Sequence, residues 1–178
     1  MRYTKFAVVW LMAGMLVCLS GFEMPSFADD SPRIPDDATA RTLDGKTVSI
    51  ADHRGKLVFL NIWKTDCIAC LHEIPILNRV QKEYASANFT IVGLAMDKKK
   101  DERVAQVMKV GNIAYPVWLG DGQPIAKYAD VWAYPFLLAI GPNGELIGYI
   151  EGAFPTYEHA VDAIKRAREL LEKKESSK

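Results

Sequence analysis

Leu57-Val58-Phe59-Leu60-Asn61-Ile62-Trp63-Lys64-Thr65-Asp66-Cys67-Ile68-Ala69-Cys70 decides how the rest of the chain is read. Its first half is an almost continuous apolar run, the pattern of a central strand covered on both faces. A helical apolar period follows from Leu71 to Tyr84. A Cys-x-x-Cys pair therefore sits where a buried strand hands over to a helix. The first turn of a helix carries unpaired N–H groups and the positive end of the helix dipole. A thiol placed there loses its proton more readily, and the thiolate is the reactive form. Cys67 falls at the mouth of the helix and Cys70 one turn on, along the same face.

A structural staple and half of a metal site are the competing readings of the pair. Chain-entropy arithmetic gives a four-residue loop about 2 kcal/mol, against about 3 for fifteen residues, so the staple is a weak one. Zinc needs two further ligands. No second Cys-x-x-Cys exists, and His53, His72 and His159 are scattered without ligand spacing. Redox chemistry is the expectation, with no metal and no bound cofactor.

Outward from the motif, the chain begins as an export signal. Arg2 and Lys5 precede an apolar stretch from Phe6 to Leu19, and Ser26-Phe27-Ala28 offers small residues where a signal peptidase cuts. Cleavage is expected after Ala28, giving a signal peptide at 1–28. The alternative is an uncleaved anchor, although the apolar core is shorter than the ~20 residues a span usually needs. Lipidation of Cys18 is disfavoured by Val17 before it. Cleavage discards Cys18 and leaves Cys67 and Cys70 as the remaining thiols. Outside the cytoplasm such a pair tends to be oxidised, so a reductant there needs a supply of electrons.

The remaining ~150 residues suit a single domain. Lys and Arg number 22, as do Asp and Glu, and no basic stripe appears, so a nucleic-acid partner is not suggested. Residues 29–38 are polar and contain proline, and read as a linker to a domain at 39–173, with a polar tail at 174–178. Thr42 to Ile50 carries a hairpin signature around Asp44-Gly45. Pro75 predicts one bent helix. Phe89–Met96 reads as a second buried strand, Asp97–Asp101 as a charged loop, and Val104, Val107 and Met108 as one face of a helix ending near Gly111. Short elements follow at 115–119 and 123–128. Phe136–Ile140 and Leu146–Ile150 read as an antiparallel pair joined by the turn Gly141-Pro142-Asn143-Gly144. Tyr157–Glu172 is a closing helix with Ala160, Ala163, Ile164, Ala167, Leu170 and Leu171 on one side. The fold class expected is α/β, a central mixed sheet with helices on both faces.

Ordered matches along the chain resemble the exported thioredoxin-fold proteins of the TlpA/ResA type, a group that includes cytochrome c maturation reductants. They run from Leu43-Asp44-Gly45-Lys46-Thr47-Val48-Ser49-Ile50 through Phe59-Leu60-Asn61-Ile62-Trp63, Cys67-Ile68-Ala69-Cys70 and Glu73-Ile74-Pro75. They continue through Tyr134-Pro135-Phe136-Leu137 to Gly141-Pro142-Asn143-Gly144-Glu145. The resemblance implies a thioredoxin fold with an N-terminal β-hairpin extension. It makes Cys67 the attacking thiol, Cys70 the resolving one and Glu73 the proton acceptor for Cys70, in place of the aspartate that thioredoxins carry where this chain has Asn61. It implies a cis Pro135 facing the sulfurs, Tyr134 offering backbone groups to an extended substrate peptide, and Trp63 either shielding the disulfide or filling the core. The implied partners are a disulfide-bearing protein substrate and a membrane-bound thiol reductase as electron donor; a monomer in the periplasm or another extracytoplasmic space is expected.

Departures from the family pattern touch the chemistry. Ala69 stands where the family has proline, and Asp66 places a negative charge beside Cys67, which disfavours a thiolate. Lys64 is a candidate to offset it. Trp132-Ala133-Tyr134-Pro135-Phe136 is bulky, and reads as a docking surface or as core. A disulfide-forming oxidant, a thiol peroxidase on the same fold, a copper-delivery protein and a non-catalytic interaction domain are the other classes. The peroxidase pattern places threonine three residues before its cysteine, whereas Thr65 is two before Cys67.

Overall fold

A computed structural model describes residues 32–129 and 131–176. The expected signal peptide with its cut after Ala28, Cys18, residues 29–31 of the expected linker and the last two residues of the tail lie outside the described residues. Among these residues the order is β1 (Thr39–Arg41), β2 (Thr47–Ser49), β3 (Leu57–Trp63), α1 (Ile68–Tyr84), β4 (Phe89–Ala95), α2 (Asp101–Val110), β5 (Val117–Leu119), β6 (Phe136–Ile140), β7 (Leu146–Glu151) and α3 (Tyr157–Ser176). Two 3-10 helices lie at Ile50–His53 and Pro124–Tyr128.

The two continuous apolar runs form the centre of the sheet. β3 and β4 are buried at every position and pair in parallel, from Leu57↔Phe89 to Trp63↔Ala95. The sheet order is β2-β1-β5-β4-β3-β6-β7. β4 and β5 are also parallel, whereas β6 runs antiparallel to β3 and β7 antiparallel to β6. The sheet is therefore mixed, as alternation followed by a hairpin demands. β1 and β2 form the expected hairpin extension, with Arg41 of β1 opposite Leu119 of β5.

Strand alternation divides the core in two. Leu57, Phe59 and Trp63 face one cluster with Cys70, Leu77 and Val80 of α1, Val104 of α2, and Ala160, Ile164 and Ala167 of α3. Val58, Leu60 and Ile62 face the other, with Ile34, Ala38, Ile50 and Ile125. Helical cover lies on both faces, α-helical on the first and 3-10 on the second. Full burial of a Leu or Ile such as Leu77, Ile91 or Ile164 contributes about 1.5–3 kcal/mol each.

Helix α1 continues through Pro75 as one element and begins three residues before the expected Leu71. Helix α3 runs on to Ser176, past the expected Glu172. Leu170 is a correction: it is half exposed, while Leu171 packs on the core. At ~100° per residue Leu170 lies about 80° from the Ala160 line and Leu171 about 20° from it.

The expected linker is also corrected over residues 32–38. Ile34 and Ala38 are buried in the second cluster. Leu146 donates its N–H to the Pro32 carbonyl at 2.7 Å and Ile34 donates to the Gly144 carbonyl at 3.1 Å. Arg54 forms an ion pair with Asp36. Polar composition hid this because Ile34 is the one large aliphatic residue of the stretch. Gly144, at φ +84°, turns the β6–β7 connection against Arg54, whose guanidinium occupies the space a side chain would take.

Candidate functional site

The site lies at the C-terminal ends of β3 and β4. Trp63 closes β3, and four residues later Cys67 is the N-cap of α1, with φ −93° and ψ 104°. Its Sγ accepts the Cys70 N–H at 3.2 Å. The two cysteines form a disulfide, with S–S 2.15 Å and Cα–Cα 5.3 Å. Cys67 is half-buried, and Cys70 is 2% exposed. Between them Ile68 projects outward, 71% exposed. The pair is thus asymmetric: an approaching group meets Cys67 first.

Glu73 follows one turn beyond Cys70 on the buried face of α1 and is 2% exposed. Its Oε1 accepts the Phe154 N–H at 2.9 Å. Its Oε2 is buried without a partner, as are Asn61 Oδ1 and Trp63 Nε1. Burial pushes the carboxyl up from 4.5 to about 7, outweighing the Phe154 N–H and the Asn61 amide, which both pull it down. A carboxyl held there exchanges its proton readily near neutrality. Tyr115 is pushed well above the usual phenol range, by burial first and by the Glu73 charge second. Gly93, opposite Asn61 in the ladder, makes room for this group: a Cβ there would meet Trp63 Nε1 and Tyr115 Cε2, each at 3.1 Å.

The Tyr134–Pro135 peptide bond is cis. It lies one residue beyond the Ile62↔Phe136 pair, level with the end of β3. The Pro135 carbonyl accepts the Gly152 N–H at 2.9 Å. Tyr134 is half-buried, with Lys64 Nζ 4.6 Å from its ring centroid. Lys64 therefore serves Tyr134, and the ion-pair partner of Asp66 is Lys100 at 3.7 Å. Trp63 is 2% exposed and belongs to the core cluster, so it offers no ring face to a partner. The bulky segment divides: Phe136 is buried, whereas Trp132 stands 71% exposed at 5.1 Å from the Phe136 ring and 6.4 Å from Tyr149.

The three histidines are not brought together. His53 stacks on Trp118, and His159 Nδ1 lies 3.0 Å from the Thr156 hydroxyl. Among the described residues no cluster of three His, Cys, Asp or Glu side chains could hold a metal. No described helix is long and apolar enough to cross a membrane.

Sequence reasoning missed two contacts. Phe154 reaches Glu73 through its backbone, which leaves no side-chain signal. Asp97, read as part of a charged loop, is buried and accepts three hydrogen bonds from Thr65.

The AhpC/TSA family model matches residues 32–148. The thiol-disulfide oxidoreductase ResA of Bacillus thuringiensis subsp. konkukian is 33% identical over 110 residues, which are 62% of this chain and 63% of that protein. ResA of Bacillus subtilis is 29% identical over 133 residues, 75% of this chain and 72% of the relative. The chain thus spans under two thirds of the length of the first of these relatives. A thioredoxin-family thiol:disulfide interchange protein of Chlorobium tepidum superposes with a TM-score of 0.66 at 30% identity, over 78% of this chain and 98% of that one. A second Chlorobium tepidum structure, described as a putative thiol:disulfide interchange protein DsbE, gives 0.67 at 23% identity, over 78% and 97%. At that identity it speaks for the fold, which is the thioredoxin fold.

This chain belongs to the AhpC/TSA family.

Proposed function

We propose that this AhpC/TSA-family chain is an exported thiol–disulfide oxidoreductase that reduces disulfides of partner proteins through Cys67 and Cys70. The observation that carries the reading is the asymmetry of the pair: an accessible Cys67 at a helix N-cap, and a buried Cys70 one turn before a buried, proton-exchanging Glu73. The Cys67 thiolate attacks a partner disulfide. One S–S bond forms between Cys67 and the partner, the partner's own bond breaks, and its second sulfur leaves as a thiolate. Cys70 gives its proton to Glu73 and attacks Cys67 Sγ. The Cys67–Cys70 disulfide forms, the mixed disulfide breaks, and the partner leaves with both sulfurs reduced and two electrons gained. Tyr134, before the cis Pro135, offers its backbone groups to an extended substrate strand.

The amino-terminal signal at 1–28 directs the folded domain, which includes residues 32–38 and runs through α3, to the periplasm or another extracytoplasmic space. A membrane-bound thiol reductase returns the two electrons, and the protein acts as a monomer. Cytochrome c maturation is the substrate setting suggested by the TlpA/ResA resemblance. The Thr65 hydroxyl, engaged by Asp97 at 2.6 Å, speaks against a peroxidase use of that residue.

Equilibration of the Cys67/Cys70 couple against glutathione or dithiothreitol tests the direction. A potential near the thioredoxin end, about −270 mV, is expected. One near −120 mV overturns the reductant reading in favour of disulfide formation. Cys70→Ser is expected to accumulate a mixed disulfide with a reducible protein, whereas Cys67→Ser forms none; equal behaviour of the two overturns the assignment of roles.

A further inference from the structure

The loop that delivers Cys67 is only Lys64-Thr65-Asp66, and its middle residue is buried, 2% exposed. A buried polar residue is costly unless it is hydrogen-bonded. The partner of Thr65 is Asp97, itself 8% exposed, two residues past the end of β4. The Thr65 N–H donates to both carboxylate oxygens, at 3.2 and 3.0 Å, and its hydroxyl donates to Oδ1 at 2.6 Å. The β3–β4 ladder closes at Trp63↔Ala95, and Met96 donates its N–H to the Trp63 carbonyl at 2.9 Å. The Asp97 side chain then takes the Thr65 N–H. It prolongs the sheet by one step beyond the point where the backbones part.

A carboxylate close to a thiolate site has the wrong sign for that site. The other charges around the loop do not account for it. Lys64 lies over Tyr134, Asp66 is paired with Lys100, and Glu73 stands behind Cys70 on α1. What the carboxylate supplies is geometry. With Thr65 pinned, Cys67 donates its N–H to the Lys64 carbonyl at 3.3 Å and takes the N-cap position, where Sγ accepts the Cys70 N–H.

We propose that Asp97 is a positioning residue for Cys67: by clamping Thr65 it holds the sulfur on the Cys70 amide at the start of α1, which stabilises its thiolate. The inference rests on Cys67 being the nucleophile proposed above. Positioning and plain charge predict opposite signs. Loss of a nearby negative charge lowers the pKa of a thiol, whereas loss of its alignment with helix amides raises it.

The test is the pH dependence of iodoacetamide alkylation of Cys67 in the reduced full-length chain, followed by peptide mass, with a thermal melt for each variant. Asp97→Ala is expected to raise the alkylation midpoint by about one pH unit, slowing the reaction about tenfold below it. Asp97→Asn keeps an acceptor without the charge and is expected at or below the native midpoint. Thr65→Val loses the hydroxyl alone and is expected to rise by less than Asp97→Ala. A lowered midpoint in Asp97→Ala, or an unmoved one in a variant that still melts cooperatively, overturns the inference. Where Asp97→Ala does not fold, an unmoved Thr65→Val overturns it. A native protein whose Cys67 exchanges with no disulfide overturns the reading beneath it; native exchange with an unmoved variant overturns the positioning role alone.

Discussion

Replacing Glu73 by glutamine should make the protein more stable above neutral pH and a poorer oxidoreductase at the same time. The carboxyl is raised from 4.5 to about 7 by burial. An acid whose pKa is raised by folding binds its proton more tightly in the native state, so its contribution is fully present below pH 4.5. It is lost as the pH climbs through the native value near 7. The loss approaches about 3 kcal/mol at pH 8 and is under about 1 kcal/mol at pH 5. Glutamine carries no charge at either pH. Its Oε1 can still accept the Phe154 N–H, and its Nε2 replaces an oxygen that has no partner. Urea unfolding of the oxidised native and Glu73→Gln proteins at pH 5 and pH 8 measures the effect. The stability difference between them should move by about 2–3 kcal/mol in favour of the variant as the pH rises. Taking the difference removes contributions common to both, including His53, whose pKa burial lowers. A difference that stays constant between the two pH values would refute the argument, since Glu73 would then ionise in the native state as it does in the unfolded chain. Resolution by Cys70 should slow in the same variant, because the amide cannot take the thiol proton. Stability gained and activity lost together mark a residue kept for its chemistry.

The packing around this carboxyl gives a second expectation. Gly93→Ala places a methyl 3.1 Å from both Trp63 Nε1 and Tyr115 Cε2, tighter than either ring tolerates without shifting. A loss of about 1–3 kcal/mol in urea unfolding is expected, with a change in tryptophan fluorescence; an unchanged midpoint would mean that the rings yield freely. Ile34→Ala tests the corrected amino-terminal segment: buried against the second cluster, it should cost about 2–4 kcal/mol, whereas a linker residue would cost nothing measurable.

These tests fall unevenly across what could be read from the chain. The fold was legible where information is local. Two nearly continuous apolar runs, an Asp-Gly hairpin turn and a Gly-Pro-Asn-Gly turn identify their elements without knowledge of what they touch, and they lead to the mixed sheet observed. The errors arose where partners decide. Residues 32–38 look like a linker until the β6–β7 turn gives their backbone its hydrogen bonds. Leu170 looks like core until the angular position of the helix leaves it on the flank.

The site follows the same rule. Cys67, Cys70 and Glu73 occupy one helix, so helical spacing alone sets them on related faces. Thr65 and Asp97 are 32 residues apart and meet only through strand pairing. Yet that pairing leaves a readable trace. Trp63 and Ala95 end two neighbouring parallel strands in register, and Thr65 and Asp97 stand at the same offset of two beyond them. Parallel strands that end together bring residues at equal offsets to the same level, and there the backbones no longer satisfy each other. A donor-rich threonine at one such position and a carboxylate at the other complete the hydrogen bonding that the sheet leaves open. Placing the Cys-x-x-Cys helix directly after that pair sets Cys67 two residues beyond the clamped Thr65, so the end of the sheet is the support that the proposed alignment of its sulfur requires.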